Sequence, residues 1–167
     1  EKPRDAAVNT SVVGHVFFYS SGTSNLLSYL LKTKFKTLVE YWQFYRRELL
    51  EKIGAFDADQ HDSMSNNILE VDESGTQVLS SYAYLTPITW AKIGLLYLRD
   101  GMWPTQDGDS IRILPTGWVQ QHAQVAAPAS YNMYTSHFWK PEFIYKFLAT
   151  GTKRKLPEDT YFAFGAQ

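Results

Sequence analysis

The stretch FFYSSGTSNLL, Phe17 to Leu27, joins a β-prone aromatic run to an apolar run through a turn of small residues. Ser or Thr in this turn can cap the helix that follows, and Gly22 marks the turn itself. The leucines beyond it recur at helical spacing, so we expect this helix to bury one face. They are Leu26, Leu27, Leu30 and Leu31. Tyr19 is then either a tyrosine held in place for chemistry or an aromatic residue beside a helix cap.

Two further helices are predicted downstream. One runs from about Glu40 to Ile53 and stops at Gly54. The other has the strongest signature in the chain, with Thr86 as N-cap, Pro87 at the first helical position and Gly101 past the end. Three tryptophans fall in predicted helices and are expected to pack in the core, whereas Trp103 is a candidate for the rim of a site. The three are Trp42, Trp90 and Trp118.

The remaining segments predict loops, a short helix and strands. The Asp-, Ser- and Asn-rich residues 55–77 indicate a long loop. Pro115 opens a short predicted helix, and the aromatic runs Tyr131 to Lys140 and Thr160 to Phe164 predict strands. Helices first and strands last favour an α+β fold. We divide it into a mainly helical region, 1–130, and strands of an antiparallel sheet, 131–167.

Composition excludes several classes of function. Sixteen Lys and Arg against seventeen Asp and Glu leave no positive excess to bind nucleic acid. No apolar run reaches the roughly eighteen residues of a membrane-spanning helix. The chain contains no Cys, which excludes disulfides and thiolate chemistry, and we expect no cofactor. The histidines His15, His61, His122 and His137 show no metal-ligand spacing, so no metal site is predicted.

A hydrolase without metal or Cys needs an activated hydroxyl and a base. A tyrosine can serve as that base when nearby cations lower its pKa from about 10. Tyr19 lies two residues before Ser21, in a turn that fixes the direction of the backbone. These two residues are therefore the candidate catalytic pair.

Two segments resemble one enzyme superfamily. FYSSGTSNLLSYLL resembles the second motif of the β-lactamase-fold, penicillin-recognising serine hydrolases, the Tyr-x-Asn or Tyr-x-Ser element of class C β-lactamases, related esterases and 6-aminohexanoate-dimer hydrolases. SSYAYLTPITWAKIGLLYLRDGMW and then RILPTGWV are similar to the helix and loop that follow in that superfamily. The resemblance covers Phe17 to Val119 well and the tail more loosely.

The resemblance implies a helical region beside an antiparallel sheet, with the active site at their junction. Tyr19 would shuttle the proton, and Ser21 would orient Lys, Tyr or substrate. Phe164, Gly165 and Ala166 would begin the edge strand of the third motif, with Gly165 and Ala166 as substrate-binding residues, although no cationic residue is present there. The family's Ser-x-x-Lys nucleophile motif is absent; Thr33 to Lys36 and Thr152 to Lys155 have Thr-x-x-Lys spacing but follow the tyrosine motif.

We therefore expect an internal fragment of a serine hydrolase that cleaves a small ester or amide substrate. Its nucleophile would lie before Glu1, its partners would be the missing parts of the same fold, and the chain alone would be inactive. One alternative is a catalytically silent relative that binds peptides, cell-wall fragments or glycans through its aromatic surface. Another is the helical part of such a fold with no activity of its own. The family suggests a periplasmic or secreted location, and a cytoplasmic one stays open.

Overall fold

A computed structural model describes residues 16–55, 67–145 and 156–165. The chain divides into two compact units. The continuous unit is Ser20–Gly117, and the split unit combines Glu1–Tyr19 with Trp118–Gln167. Residues 118–130 thus belong to the same unit as the C-terminal segment. The division after residue 130 that the sequence suggests stays a prediction.

The described residues form helices and two small antiparallel sheets, which confirms the α+β class. In the continuous unit β1 (Ile68–Leu69) pairs with β2 (Ala83–Tyr84), and β3 (Met102–Pro104) pairs with β4 (Ser110–Arg112). None of the helices in the described ranges is both long enough and apolar enough to cross a bilayer. The elements are α1 (Ser21–Lys32), α2 (Leu38–Tyr45), β1 (Ile68–Leu69), β2 (Ala83–Tyr84), α3 (Pro87–Leu98), β3 (Met102–Pro104), β4 (Ser110–Arg112) and, in the split unit, α4 (Pro141–Phe143).

Side-chain caps start the three long helices. The Ser20 hydroxyl accepts a hydrogen bond from the Gly22 N–H at the start of α1. Thr37 and Glu40 form a reciprocal capping box on α2. Thr86 caps α3, with Pro87 in its first turn, as the sequence predicts. Each of these bonds joins residues close in sequence, which is why sequence patterns locate helix starts well.

The second predicted helix forms but begins earlier than expected, at Leu38, and changes geometry after Tyr45. The chain continues through a wider π-type turn, Arg46–Leu50. It stops at Gly54, whose φ of +61° is one that glycine adopts without strain. The hydrophobic side chains that this unit buries most completely come from α2, the π-type turn, the residues after it and α3. They are Tyr41, Leu50, Ile53 and Leu96.

The leucine face of α1 is not buried, contrary to the prediction. Leu26, Leu27 and Leu30 are each about half exposed in this structure. The inward side of α1 is polar instead. Asn25 accepts a hydrogen bond from the Ser80 N–H, and Lys32 donates to the Ser74 carbonyl. This side packs on a loop whose backbone groups need partners, so polar residues occupy it.

The expected core positions of three tryptophans are also wrong. Trp42, Trp90 and Trp118 are 36%, 46% and 37% exposed. Trp42 uses its indole N–H to bind the Gly75 carbonyl at 2.8 Å, and this bond requires a position at the edge of the core. Trp103 is half-buried, and its ring lies 5.9 Å from the guanidinium carbon of Arg99.

The described residues from Pro115 onward have little regular structure where a helix and strands are predicted. No helix starts at Pro115; helical residues begin at Trp118 and continue as a π-type turn, Gln120–Gln124. The predicted strand from Tyr131 to Lys140 is not continuous. Tyr131, Asn132 and His137 have positive φ angles, which extended strands do not allow.

What remains of both predicted strands is single bridges. Tyr134 pairs with Trp139, and Trp139 pairs with Phe162. The predicted strand Thr160 to Phe164 is thus reduced to one bridge residue. These bridges nevertheless fix the residues that surround Tyr19.

Candidate functional site

Tyr19 belongs to the split unit, and its side chain is 54% exposed. Its ring lies edge-on to Tyr134, with centroids 5.4 Å apart and planes at 87°. The same ring lies 5.2 Å from Trp139 at 36°. Tyr134 and Trp139 also touch each other, 4.7 Å apart at 72°. The three rings therefore form a closed cluster, here called the tyrosine frame, in which one side of Tyr19 stays open.

Tyr134 is fixed by its backbone. Its N–H donates to the hydroxyl of Ser130, and that hydroxyl lies 3.1 Å from the Tyr134 carbonyl. The Ala127 N–H donates to the same carbonyl at 2.9 Å. Ser130 is fully buried, so these bonds are shielded from water. The Phe17 ring also packs on that of Tyr134, with centroids 5.4 Å apart.

Trp139 is fixed as firmly. Its N–H donates to the Phe162 carbonyl, and the Phe162 N–H donates back, both at 2.9 Å. Its ring packs on Phe143 with centroids 4.0 Å apart. Phe143 in turn lies 5.7 Å from Phe164, the residue before Gly165. A continuous chain of ring contacts thus runs from Tyr19 to the end of the described tail.

The electrostatics distinguish the two tyrosines of the frame. Burial, and then the negative charge that an ionised Tyr19 would carry, raise the pKa of Tyr134 to about 12. Tyr134 therefore stays a neutral phenol across the physiological range. In the described ranges, Tyr19 itself has neither a hydrogen bond nor a contact with a cation. The positive charge expected beside it stays a prediction.

The other predicted site residues lie elsewhere or outside the described residues. Ser21 is the exposed first residue of α1, in the continuous unit. Gly165 is exposed, and a Cβ added to it would meet nothing within 4 Å. Ala166 is outside the described residues. The structure thus places Tyr19 and Gly165 in one unit and Ser21 in the other, and the roles predicted for all of them stay predictions.

The Thr-x-x-Lys spacings have structural roles where they are described. Thr33 ends α1 and donates its hydroxyl proton to the Leu30 carbonyl at 2.7 Å. The pair at 152 and 155 lies outside the described residues. The sequence also contains Thr89 to Lys92, within α3. The Thr89 hydroxyl is buried against Thr86, and the Lys92 ammonium binds the Gly54 carbonyl.

The described residues contain two other candidate sites, a groove and a Ser–His pair. An open groove of about 270 Å³ in the continuous unit is lined by Trp42, Tyr45, Leu69, Val71 and Gln77. These residues include no nucleophile beside a base. In the split unit the Ser136 hydroxyl lies 3.5 Å from His122 Nδ1, at the outer limit of a hydrogen bond.

The described residues contain no group of three or more His, Asp or Glu side chains placed to hold a metal ion. His15 and His61 lie outside the described residues. Sequence reasoning missed Tyr134 and Trp139 as neighbours of Tyr19. The available signal was the aromatic run Tyr131 to Lys140, which predicted a strand but not its partner.

Comparison with known proteins adds no relative: no family model, curated protein or solved structure matches this chain.

Proposed function

We propose that this chain is part of a β-lactamase-related serine hydrolase and that Tyr19 is its proton-relay tyrosine. The proposal combines the Tyr-x-Ser resemblance with one structural observation. Tyr19 is held by two fixed rings, while more than half of its side chain is exposed and its hydroxyl has no hydrogen-bond partner in the described residues. A tyrosine that only filled a core would be covered. A relay tyrosine needs a fixed ring and an accessible oxygen.

In the proposed reaction a serine outside these residues attacks an ester or amide carbonyl. Its proton passes through Tyr19, with the help of a lysine, to the departing alcohol or amine as the acyl–enzyme forms. Tyr19 then takes a proton from water, the resulting hydroxide attacks the acyl–enzyme, and Tyr19 returns this proton to the serine oxygen as the acid product is released. Backbone N–H groups stabilise the oxyanion at both stages. Ser21 orients the relay, and Gly165 and Ala166 contact substrate, as the resemblance implies.

The test is labelling and turnover of the full-length protein. A fluorophosphonate or penicillin probe should label it, and Tyr19→Phe should lower turnover of a simple ester by about 10² to 10⁴-fold, since it removes an acid–base group. Tyr29→Phe is the matched control, because Tyr29 is 53% exposed and lies on α1. Near-normal turnover of the Tyr19 variant would remove this residue from the mechanism. The isolated chain should not label, because it has no Ser-x-x-Lys.

A second candidate function is binding without catalysis. The chain of ring contacts from Tyr19 to Phe164 favours it, because aromatic faces bind sugar rings and peptide side chains. The residues upstream decide between the two: an intact Ser-x-x-Lys favours the enzyme, and its loss favours the binder. A full-length protein that fails to label but binds a cell-wall fragment would support the second function.

A further inference from the structure

The segment that carries Tyr19 does not fix the orientation of this side chain. Tyr19 lies in residues 16–20, which belong to no helix or strand. Within the described residues, its backbone N–H and carbonyl make no hydrogen bond. Nothing local therefore determines where the phenol points. Whatever orients it must act through the ring.

The rings that touch Tyr19 are, by contrast, fixed through their own backbones. The Tyr134 backbone is hydrogen-bonded to Ser130 and Ala127. The N–H and the carbonyl of Trp139 are both hydrogen-bonded to the backbone of Phe162. The geometry of the contacts is also favourable. Edge-to-face and tilted arrangements at 4.5–7 Å are the ones that aromatic pairs prefer. The Tyr19 ring, whose own backbone makes no described hydrogen bond, thus rests against two rings whose backbones are hydrogen-bonded.

We infer that Tyr134 and Trp139 are positioning residues, which hold the Tyr19 phenol in the one orientation that proton relay requires. This inference rests on the proposed function of Tyr19. Tyr134 acts by its ring and not by its hydroxyl, because that hydroxyl stays neutral and donates no described hydrogen bond to Tyr19. The two rings approach Tyr19 at 87° and 36°, so together they restrict both side-chain torsions. Neither ring is proposed to touch the reacting bond.

The first test leaves Tyr134 and Trp139 unchanged. Tyr19 is replaced by 3-fluorotyrosine, which keeps the hydroxyl, and ¹⁹F–¹H nuclear Overhauser effects are measured on the full chain. We expect effects from the fluorine to ring protons of Tyr134 and Trp139 and a ¹⁹F shift distinct from that of the urea-unfolded chain. The absence of these effects in the folded chain would overturn the inference. This measurement does not depend on activity. It therefore distinguishes the absence of the ring contacts around Tyr19 from an error in the proposed hydrolase function.

The second test asks whether the rings act on turnover. In the full-length protein Tyr134→Leu and Trp139→Leu should lower kcat about 10²-fold with little change in KM, as expected for a misplaced catalytic group. Tyr134→Phe should restore kcat, because the ring remains. Tyr161→Leu is the matched control, since it removes a ring packed on Phe138 in the same unit. Normal kcat in both leucine variants of the frame, or an equal loss in Tyr161→Leu, would refute the positioning role.

Discussion

The hydroxyl oxygens of Ser28 and Tyr41 lie 2.6 Å apart in the buried centre of the continuous unit. The Ser28 hydroxyl donates to the Gln77 carbonyl at 2.6 Å, and the Tyr41 oxygen accepts from the Gln77 N–H at 3.0 Å. Because Ser28 has a single proton, Tyr41 must be the donor in the bond between them. The two helices α1 and α2 are thus joined to the loop before β2 by one closed set of hydrogen bonds.

Tyr41→Phe should therefore destabilise the fold. It leaves the Gln77 N–H without its acceptor in a buried site, which costs about 1–3 kcal/mol. Urea denaturation followed by circular dichroism would measure this loss as a fall in the free energy of unfolding. Tyr29→Phe, on the exposed side of α1, is the control and should change little. Equal stability of the two variants would contradict the network.

Substitution by alanine should have opposite effects on stability at Gly94, inside α3, and at Gly101, in the turn that follows α3. Gly101 has a φ of +77°, and a Cβ there would lie 2.4 Å from Leu114 Cβ and 2.8 Å from its backbone nitrogen. Left-handed backbone alone costs a non-glycine residue roughly 1–2 kcal/mol, and the clash adds to it, so Gly101→Ala should lose at least that much. Gly94 lies inside α3 with open space around it. Gly94→Ala should gain about 0.5–1 kcal/mol. Thermal denaturation of both variants measures the two effects, and a loss of stability in Gly94→Ala would contradict the open helical position of Gly94.

Asp72 should make stability depend on pH in the acid range. The Ser74 hydroxyl and then the Thr76 N–H donate to its carboxylate and lower its pKa below the ordinary 3.8. A carboxyl with a depressed folded-state pKa stabilises the fold above its unfolded pKa, and this contribution is lost as pH falls through the folded pKa. Asp72→Asn should be less stable than the parent at pH 7, and the difference should close in acid. Glu73→Gln, one residue away, is the control; a gap for Asp72→Asn that does not change with pH would exclude this origin.

Tyr134 should make the stability of the fold decrease as pH rises in the alkaline range. Its pKa is raised from 10.0 to about 12, chiefly by burial, so the folded state holds this proton more tightly than the unfolded state. The resulting stabilisation is complete below pH 10 and is lost as pH rises toward 12. Absorbance titration of phenolate formation should show a late component that is smaller in Tyr134→Phe. A titration that Tyr134→Phe leaves unchanged above pH 11 would contradict the burial of this hydroxyl.

Local chemistry made part of this fold predictable. Ser20, Thr86, Pro87 and Gly54 act as caps and stops through partners only a few residues away or through their own backbone preferences. Such signals depend on a short stretch of sequence, so the starts of α1 and α3 and the α+β class could be predicted from them, whereas the helix predicted at Pro115 does not form there. Tyr19 could likewise be selected from sequence, because its motif resemblance is local.

The burial of α1 and the surroundings of Tyr19 could not be predicted in this way. Helical spacing of leucines identifies an apolar face but not which face meets a neighbour, and here the inward side binds the backbone of a distant loop. Tyr134 and Trp139 reach Tyr19 only because turns with positive φ bring a C-terminal segment back to it. By itself the sequence determined the caps that begin α1 and α3 and which tyrosine to consider. Only the tertiary structure decided which side chains are buried and which rings hold that tyrosine. The reason is that these contacts join residues far apart in the sequence, and no short sequence pattern specifies such a pairing.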